Sequence, residues 1–197
     1  MIEFDETIEK VYNYAQNQYD DDDIHGFPHI LRVYNLCMKM ARNFDIDYTI
    51  LKIATLLHDI GRKEEGTGIN LRNHAKLSAE SAKDYIIKNN IDIKGKELEQ
   101  VLHCIKAHSF SNGIEPLTIE AKILSDADKL DALGAIGLYR TIGFTIKSGG
   151  FLQEVITHLE TKILKLKDKL FLKISKKIAK ERESIIQDFY KEVRAEM

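Results

Sequence analysis

A histidine and an aspartate stand side by side near the end of a stretch that is apolar nearly all round, residues 48–60. The stretch predicts a buried helix, and the carboxylate of Asp59 would be costly to bury there without a compensating cation. A divalent metal ion would neutralise this carboxylate and take a ring nitrogen of His58 as a second ligand. The pair alone is also compatible with a structural aspartate that caps or pairs at the helix end, beside an uninvolved histidine.

Two further positions could complete a metal site. His29 lies in the first turn of a predicted helix beside its apolar face, where a core or boundary histidine is the alternative. Asp128 lies among apolar residues and needs a partner, whereas Asp126 points elsewhere and could cap a helix. We therefore prefer Asp128 as the ligand and keep Asp126 as the second choice. Two imidazoles and two carboxylates suit a divalent metal and leave positions for water and substrate oxygens.

Helices have to position these side chains. The chain has only two prolines, and a 3.6-residue apolar period appears in nearly every segment, so the sequence predicts an all-α protein. Breaks are expected at Gly61, in the loop Gly66-Thr67-Gly68 and around Gly143, Gly149 and Gly150. The helical patterns cover about residues 28–44, 48–60, 74–89, 96–108 and 118–136, followed by two long patterns over about 151–172 and 174–195.

Size and composition predict one folded domain. The chain has 197 residues, 44% of them apolar and 30% charged, which argues against a disordered or membrane protein. Cys37 and Cys104 lie inside apolar helical patterns, so we expect core thiols in a reducing compartment. The first residues lack the pattern of a signal peptide, and no run of 18 apolar residues occurs. These features predict a cytoplasmic protein without a membrane partner.

The net charge of −2 hides two opposite segments. Residues 1–25 carry eight acids and one lysine, whereas residues 162–183 carry eight lysines and one arginine against three acids. The basic segment could bind a phosphate backbone. However, its lysines recur at helical spacing beside an apolar stripe, as on a solvated face, and Phe171 is its one aromatic residue. Nucleic acid is therefore the disfavoured partner.

The order of His29, His58-Asp59 and Asp128 resembles the HD-domain metal-dependent phosphohydrolases, in particular the small stand-alone bacterial type. The matching blocks span about residues 25–195 and are His25 and His29 with Arg32-Val33, Leu57-His58-Asp59-Ile60, His108-Ser109-Phe110-Ser111, and Asp126 through Asp128-Lys129-Leu130-Asp131 to Gly137. One departure is Gly26, which stands where related proteins usually carry an acid. The Asp-Ala-Asp to Gly block is the most specific of these matches.

The resemblance implies an HD-type helical bundle with a long C-terminal helical pair. It implies one domain over residues 1–197, with a core at about 25–140 and C-terminal helices at about 151–195. The metal ligands would be His29, His58, Asp59 and Asp128. The substrate would be a phosphate ester or anhydride, in particular a nucleotide, and the cofactor a divalent ion: Mn²⁺, Ni²⁺, Co²⁺, Fe²⁺, Mg²⁺ or Zn²⁺.

Catalytic and binding roles follow from this resemblance. A divalent ion activates water and neutralises phosphoryl oxygens, and Asp59 would orient that water. Lys63 is assigned a catalytic role, and Arg62 and Lys129 are expected to meet the phosphate, with solvated surface as the alternative. His108 could protonate the leaving oxygen.

His74 and His108 have more than one interpretation. Either they hold a second ion, as extra histidines do in two-metal relatives, or they contact phosphate or lie at the surface of a one-metal protein. We prefer the one-metal interpretation and assign His74 to substrate binding. His103 and His108 are five residues apart, about 140° around a helix, so they cannot both face one site well.

Two other function classes remain open at this point. One is a metal-bound nucleotide-sensing module without turnover, and the other is the nucleic-acid-binding helical module described above. The long C-terminal helices could also pair with a second copy of the chain in a homodimer.

Overall fold

The computed structural model describes residues 5–65, 73–109 and 113–197. Within these ranges the chain forms nine α-helices and no strand, which confirms the predicted all-α class. The helices are α1 Glu6–Gln18, α2 Phe27–Ala41, α3 Tyr48–Leu57, α4 His74–Lys88, α5 Gly95–Ala107, α6 Ile119–Asp131, α7 Gly134–Lys147, α8 Leu152–Thr161 and α9 Lys173–Glu196. Short 3₁₀ helices lie at Arg62–Glu64 and Ile163–Lys169.

The first of two compact units, residues 1–125, is built around α3. Helices α1, α2 and α5 pack against α3, and α4 packs against α5 and the 3₁₀ turn Arg62–Glu64. Every residue of α3 from Ile50 to Leu57, apart from Lys52, is buried. The predicted buried helix is therefore confirmed, and it begins where the Asp47 side chain accepts hydrogen bonds from the amides of Thr49 and Ile50.

The second unit, residues 126–197, contains α7, α8 and α9. Helix α7 packs against α8 and α9, and the 3₁₀ helix Ile163–Lys169 packs against the same two helices. The buried Asp126 carboxylate accepts hydrogen bonds from the amides of Phe171 and Leu172, immediately before α9. These amides precede the first turn of α9, whose start has no side-chain cap, and Asp126 itself lies inside α6, so Asp126 is not the helix cap that its sequence position suggested. The assignment of all 197 residues to one domain stays a prediction.

Two predicted helices are divided in the structure. The pattern over 118–136 forms α6 and the start of α7, because the chain turns at Leu133 and continues through Gly134 at φ +79°. The pattern over 151–172 forms α8 and then the 3₁₀ helix, in which Ile163 and Leu166, three residues apart, are both buried. Three-residue spacing places side chains on one side of a 3₁₀ helix, so the apolar pattern remains satisfied. Gly143 lies inside α7 and breaks nothing.

Both cysteines are buried and neither forms a disulfide among the described residues, as predicted for core thiols. None of the helices among the described residues combines the length and the apolar character that a membrane span requires. The predicted loop Gly66-Thr67-Gly68 and the block residues Phe110 and Ser111 lie outside the described residues.

Candidate metal centre

The His58-Asp59 pair follows the last residue of α3, and both side chains are fully buried. The Nδ1 atom of His58 lies 2.8 Å from the carbonyl oxygen of Thr55. A carbonyl only accepts, so Nδ1 carries a proton, and in the neutral form of the ring Nε2 is the nitrogen that presents a lone pair. That Nε2 atom lies 3.9 Å from Oδ2 of Asp59. The last turn of α3 therefore sets the tautomer and the direction of the first imidazole.

Helix α2 supplies a second imidazole to the same carboxylate oxygen. His29 lies in the first turn of α2, next to Pro28, and is 1% exposed. Its Nε2 atom is 3.9 Å from Oδ2 of Asp59, and its ring meets the ring of His58 edge-on at 5.5 Å. The proline is at a helix position where its missing N–H costs nothing, so the sequence starts α2 beside the site.

Two more histidines face the other oxygen of Asp59. His108 follows the end of α5, where its Nδ1 donates to the carbonyl of Ile105 at 2.6 Å, and its Nε2 lies 3.4 Å from Asp59 Oδ1. His74 is the first residue of α4, and its Nε2 lies 3.7 Å from the same oxygen. The Nδ1 of His74 donates to Glu65 Oε1 at 2.9 Å. Each Asp59 oxygen thus faces two imidazole nitrogens from different helices.

Arg62 balances the charge of this buried carboxylate. Its Nε and a terminal nitrogen donate to the two oxygens of Asp59 at 2.8 and 3.2 Å. Burial alone would raise the pKa of Asp59, but Arg62 and the imidazoles of His58 and His108 hold the pKa well below its usual range. Asp59 is therefore an anion at neutral pH and can serve as a ligand.

The same surroundings keep His74 neutral. Burial lowers the pKa of His74, and the Asp59 charge opposes this shift only in part. A neutral imidazole with its proton on Nδ1 and a carboxylate beyond it is the usual arrangement of a metal-binding histidine. Glu65 supplies that carboxylate to His74.

The donor set fits a divalent cation. His58, Asp59 and His108 each offer a ligand atom, and these atoms all lie within 4.8 Å of one another in a fully buried setting. Imidazole nitrogen and carboxylate oxygen together suit Zn²⁺, Mn²⁺, Fe²⁺, Co²⁺ and Ni²⁺. Buried imidazole and carboxylate groups that converge on one point are costly unless a cation or hydrogen bonds compensate them, so the cluster supports a metal site.

The remaining predicted site residues have varied surroundings. Lys63 is about half exposed and forms an ion pair with Asp20 at 2.8 Å. Lys129 is buried, with its ammonium nitrogen 5.5 Å from the ring centre of Phe171, and burial lowers its pKa. Asp128 is partly exposed in α6. The roles assigned to Lys63, Lys129 and Asp128 stay predictions.

Two outcomes concern His103 and Asp126, the less favoured alternatives of the sequence analysis. His103 accepts a hydrogen bond from the amide of Leu117, so it has a structural contact while His108 faces Asp59. The oxygens of Asp126 accept backbone amides, which favours Asp128 over Asp126 as the ligand.

Sequence reasoning missed two residues that touch the site. Glu65 contacts His74, and the hydroxyl of Tyr19 contacts the backbone of Asp59 at 3.2 Å. Glu65 could have been suspected, because it follows the His-Asp pair within the same short turn. Tyr19 is 40 residues from Asp59, and no spacing in the sequence connects the two.

Comparison with known proteins identifies the family. A family model described as HD domain matches residues 26–133, more than half of the chain. The chain belongs to the HD-domain family. This finding confirms the resemblance of the His29, His58-Asp59 and Asp128 pattern. HD domains bind divalent metal ions, in keeping with the cluster around Asp59.

Relatives of similar length support the same family. The HD-domain chain is 30% identical over 183 residues to the uncharacterized protein YpgQ of Bacillus subtilis, covering 88% of this chain and 85% of YpgQ. An HD-superfamily hydrolase of Bacillus thuringiensis is 26% identical, with a TM-score of 0.73 over 97% of this chain and 96% of that one. YpgQ in complex with ADP is 24% identical in the structural alignment, with a TM-score of 0.75 over 97% and 95% of the two chains. Together these similarities and the donor set support a metal-dependent phosphohydrolase.

Proposed function

We propose that the protein hydrolyses a phosphate ester or anhydride bond of a nucleotide. The observation that carries this proposal is the buried Asp59 carboxylate with an imidazole Nε2 atom from each of four segments around it, at 3.4 to 3.9 Å. A site that gathers four imidazoles around one anionic carboxylate is suited to a divalent cation. Such an ion supplies an activated water and neutralises charge on phosphoryl oxygens.

His29 and His58 face one oxygen of Asp59, whereas His74 and His108 face the other. We propose that both pairs are ligand pairs, so that Asp59 with His29 and His58 would hold one ion and Asp59 with His74 and His108 would hold a second. The proton on Nδ1 of His108 is engaged by the Ile105 carbonyl, so its Nε2 lone pair favours a ligand role over donation of a proton to the leaving oxygen. This proposal replaces the one-metal interpretation and the substrate-binding role of His74.

Arg62 is the residue best placed to receive a phosphate. Its guanidinium contacts the Asp59 carboxylate, and 29% of the Arg62 side chain is accessible. A planar guanidinium can bind two phosphoryl oxygens at once while it stays close to Asp59. Arg62 would thereby orient the substrate and balance charge that develops on the phosphoryl group. Asp128 is proposed as an additional ligand, and Lys63 and Lys129 as further phosphate contacts.

The nucleotide class is supported by one relative. YpgQ, which shares the fold, has a structure in complex with ADP. A nucleoside diphosphate combines phosphoanhydride oxygens, which suit metal ions and arginine, with a base that can distinguish one substrate from another. Nucleotides are therefore the first substrates to test.

The test is a panel of nucleoside mono-, di- and triphosphates assayed with Mn²⁺, Mg²⁺, Ni²⁺ and Co²⁺, with phosphate and pyrophosphate resolved as products. We expect metal-dependent hydrolysis by the wild-type chain and background rates for Asp59→Ala. The matched control is Asp92→Ala, because Asp92 is an exposed aspartate that pairs with Lys94 on the surface. It should retain wild-type rates.

Two results would contradict the proposal. If the chain binds metal but hydrolyses no nucleotide, the sensing function would be favoured over turnover. If Asp59→Ala hydrolyses nucleotides at wild-type rates, the site is not the one that carries out the reaction. Metal stoichiometry tests the shared carboxylate separately: we expect two ions per chain in the wild type and one in His74→Ala. One ion in both proteins would restore the one-metal interpretation.

A further inference from the structure

Tyr19 connects α1 to the backbone of the His58-Asp59 pair. It is the first residue after α1, and its hydroxyl donates to the carbonyl oxygen of Leu56 at 3.1 Å. The same hydroxyl accepts a hydrogen bond from the amide of Asp59 at 3.2 Å. One phenol oxygen thus uses its donor and an acceptor position on two backbone groups at the end of α3.

These two bonds change which partners are available at the helix end. One more turn of regular helix would pair the amide of Asp59 with the carbonyl of Thr55, four residues earlier. In the structure each of these groups holds a side chain: the Thr55 carbonyl accepts Nδ1 of His58 at 2.8 Å, and the Asp59 amide donates to Tyr19. The Tyr19 hydroxyl therefore engages the amide that a regular helix would direct to the Thr55 carbonyl, the group that sets the tautomer and direction of His58.

The backbone beyond Leu57 has also left the regular helical pattern. The amide of Ile60 donates to the carbonyl of Leu57 at 3.4 Å, a bond across three residues rather than four. The carbonyl of Leu56, which Ile60 would reach in a continuing α-helix, accepts the Tyr19 hydroxyl. Tyr19 thus bonds to one member of each of the two backbone pairs, Asp59 with Thr55 and Ile60 with Leu56, that α3 would need in order to extend.

We propose that Tyr19 is a positioning residue of the metal centre, whose hydroxyl holds the His58-Asp59 turn in the geometry that binds the ion. The proposal rests on the metal site of the proposed function and not on the identity of the substrate. Residues that orient ligands from one step away commonly change metal affinity by about 10- to 100-fold when they are replaced.

The test compares Tyr19→Phe with the wild type and with a matched control. Phenylalanine keeps the ring, which stacks near Phe27 with centroids 6.2 Å apart, and removes only the hydroxyl. The control is Tyr85→Phe, because the Tyr85 hydroxyl also bonds a backbone carbonyl of α1, that of Lys10 at 3.0 Å. Tyr19→Phe loses two tyrosine-to-backbone contacts and Tyr85→Phe loses one, and of the two tyrosines only Tyr19 contacts a ligand's backbone.

Mn²⁺ affinity is measured by calorimetry on the full chain without nucleotide, and the visible spectrum of the Co²⁺-loaded chain reports ligand geometry. We expect Tyr19→Phe to bind Mn²⁺ about tenfold or more weakly and to show an altered Co²⁺ spectrum. Tyr85→Phe should match the wild type in both measurements. Unfolding in urea without metal checks that the two variants are folded.

Wild-type Mn²⁺ affinity and an unchanged Co²⁺ spectrum in a folded Tyr19→Phe would overturn the proposal and leave the hydroxyl a purely structural role. An equal loss of affinity in Tyr85→Phe would also overturn it, because the effect would then come from α1 as a whole. Neither outcome depends on hydrolysis. A chain that binds metal but cleaves no nucleotide would contradict the proposed function and leave this test intact.

Discussion

Replacing Gly61 with alanine tests whether the turn after Asp59 has to lie directly against α4. A Cβ atom on Gly61 would lie 2.5 Å from the amide nitrogen of Ser78 and 2.6 Å from the carbonyl carbon of Leu77. Favourable contacts between such atoms begin at about 3.5 Å, so the turn and α4 would have to separate by about 1 Å. Both obstacles are backbone atoms of a helix, which cannot rotate away as a side chain could.

The cost has two parts. Forcing extra volume into a packed region costs about 1–3 kcal/mol. The amide of Gly61 also donates to Oγ of Ser78 at 3.0 Å, and separation would lose a hydrogen bond that contributes about 1 kcal/mol. We therefore expect Gly61→Ala to lower the free energy of unfolding by about 2–4 kcal/mol, compared with about 1 kcal/mol for Ser78→Ala, which removes the bond without the clash.

Urea unfolding of the metal-free chain measures both variants, and calorimetry with Mn²⁺ measures the effect on the site. Gly61 lies between the Asp59 segment and α4, so a side chain there would push the two apart. We therefore also expect Gly61→Ala to weaken metal binding, because Asp59 would move away from His74. A Gly61→Ala chain with the unfolding midpoint and the Mn²⁺ affinity of the wild type would refute the close-packing argument. A loss no larger than that of Ser78→Ala would show that only the hydrogen bond matters.

Two other predictions concern carboxylates. Glu65→Gln should reduce Mn²⁺ affinity about tenfold in calorimetry, because the ring of His74 loses the charge of its partner. The control Glu64→Gln should have little effect. Equal Mn²⁺ affinities of the two variants would contradict an orienting role for Glu65. Burial raises the pKa of Asp126, although the amides at the start of α9 oppose the shift, so the ionised form costs stability in the folded chain. Relative to Asp126→Asn, the wild type should therefore gain stability in urea unfolding as pH falls from the raised pKa towards 3.8, and a difference that is constant between pH 7 and pH 4 would contradict the shift.

The parts of the fold that follow from the sequence are those with a strong apolar pattern. The stretch around Leu51 and Leu56 is apolar nearly all round, and α3 is buried from Ile50 to Leu57, apart from Lys52, because other helices of its unit pack against it. The division between α6 and α7 could not be foreseen, since the apolar pattern runs on through Leu133. The positive φ of Gly134 interrupts the helical backbone there and separates α6 from α7. The apolar pattern of a sequence indicates which residues are buried. It does not reveal a turn that leaves the same residues buried.

The site was predictable to the extent that residue type alone carries chemistry. His58 and Asp59 draw attention because a buried pair of this kind needs a cation, and His29 joins them through its place at a helix start. Their supporting contacts could not be found in this way. The Tyr19 hydroxyl bonds to backbone atoms, which every residue type carries. The types of the residues it contacts therefore give no indication of the contact. Its importance depends on where α1 ends relative to α3, which is a property of packing.

Gly26 lies in the turn between Tyr19, which contacts the backbone of Asp59, and helix α2. The amide of Gly26 donates to the carbonyl of Asp22 at 3.1 Å, and the amide of Phe27 donates to the carbonyl of Asp20 at 2.9 Å. A Cβ atom on Gly26 would overlap both of these carbonyl oxygens, so no residue with a side chain fits the turn as it is folded here. The turn directly follows Tyr19. The glycine therefore allows a tight turn between Tyr19 and His29. Both of these residues contact Asp59, Tyr19 through its hydroxyl and His29 through Nε2.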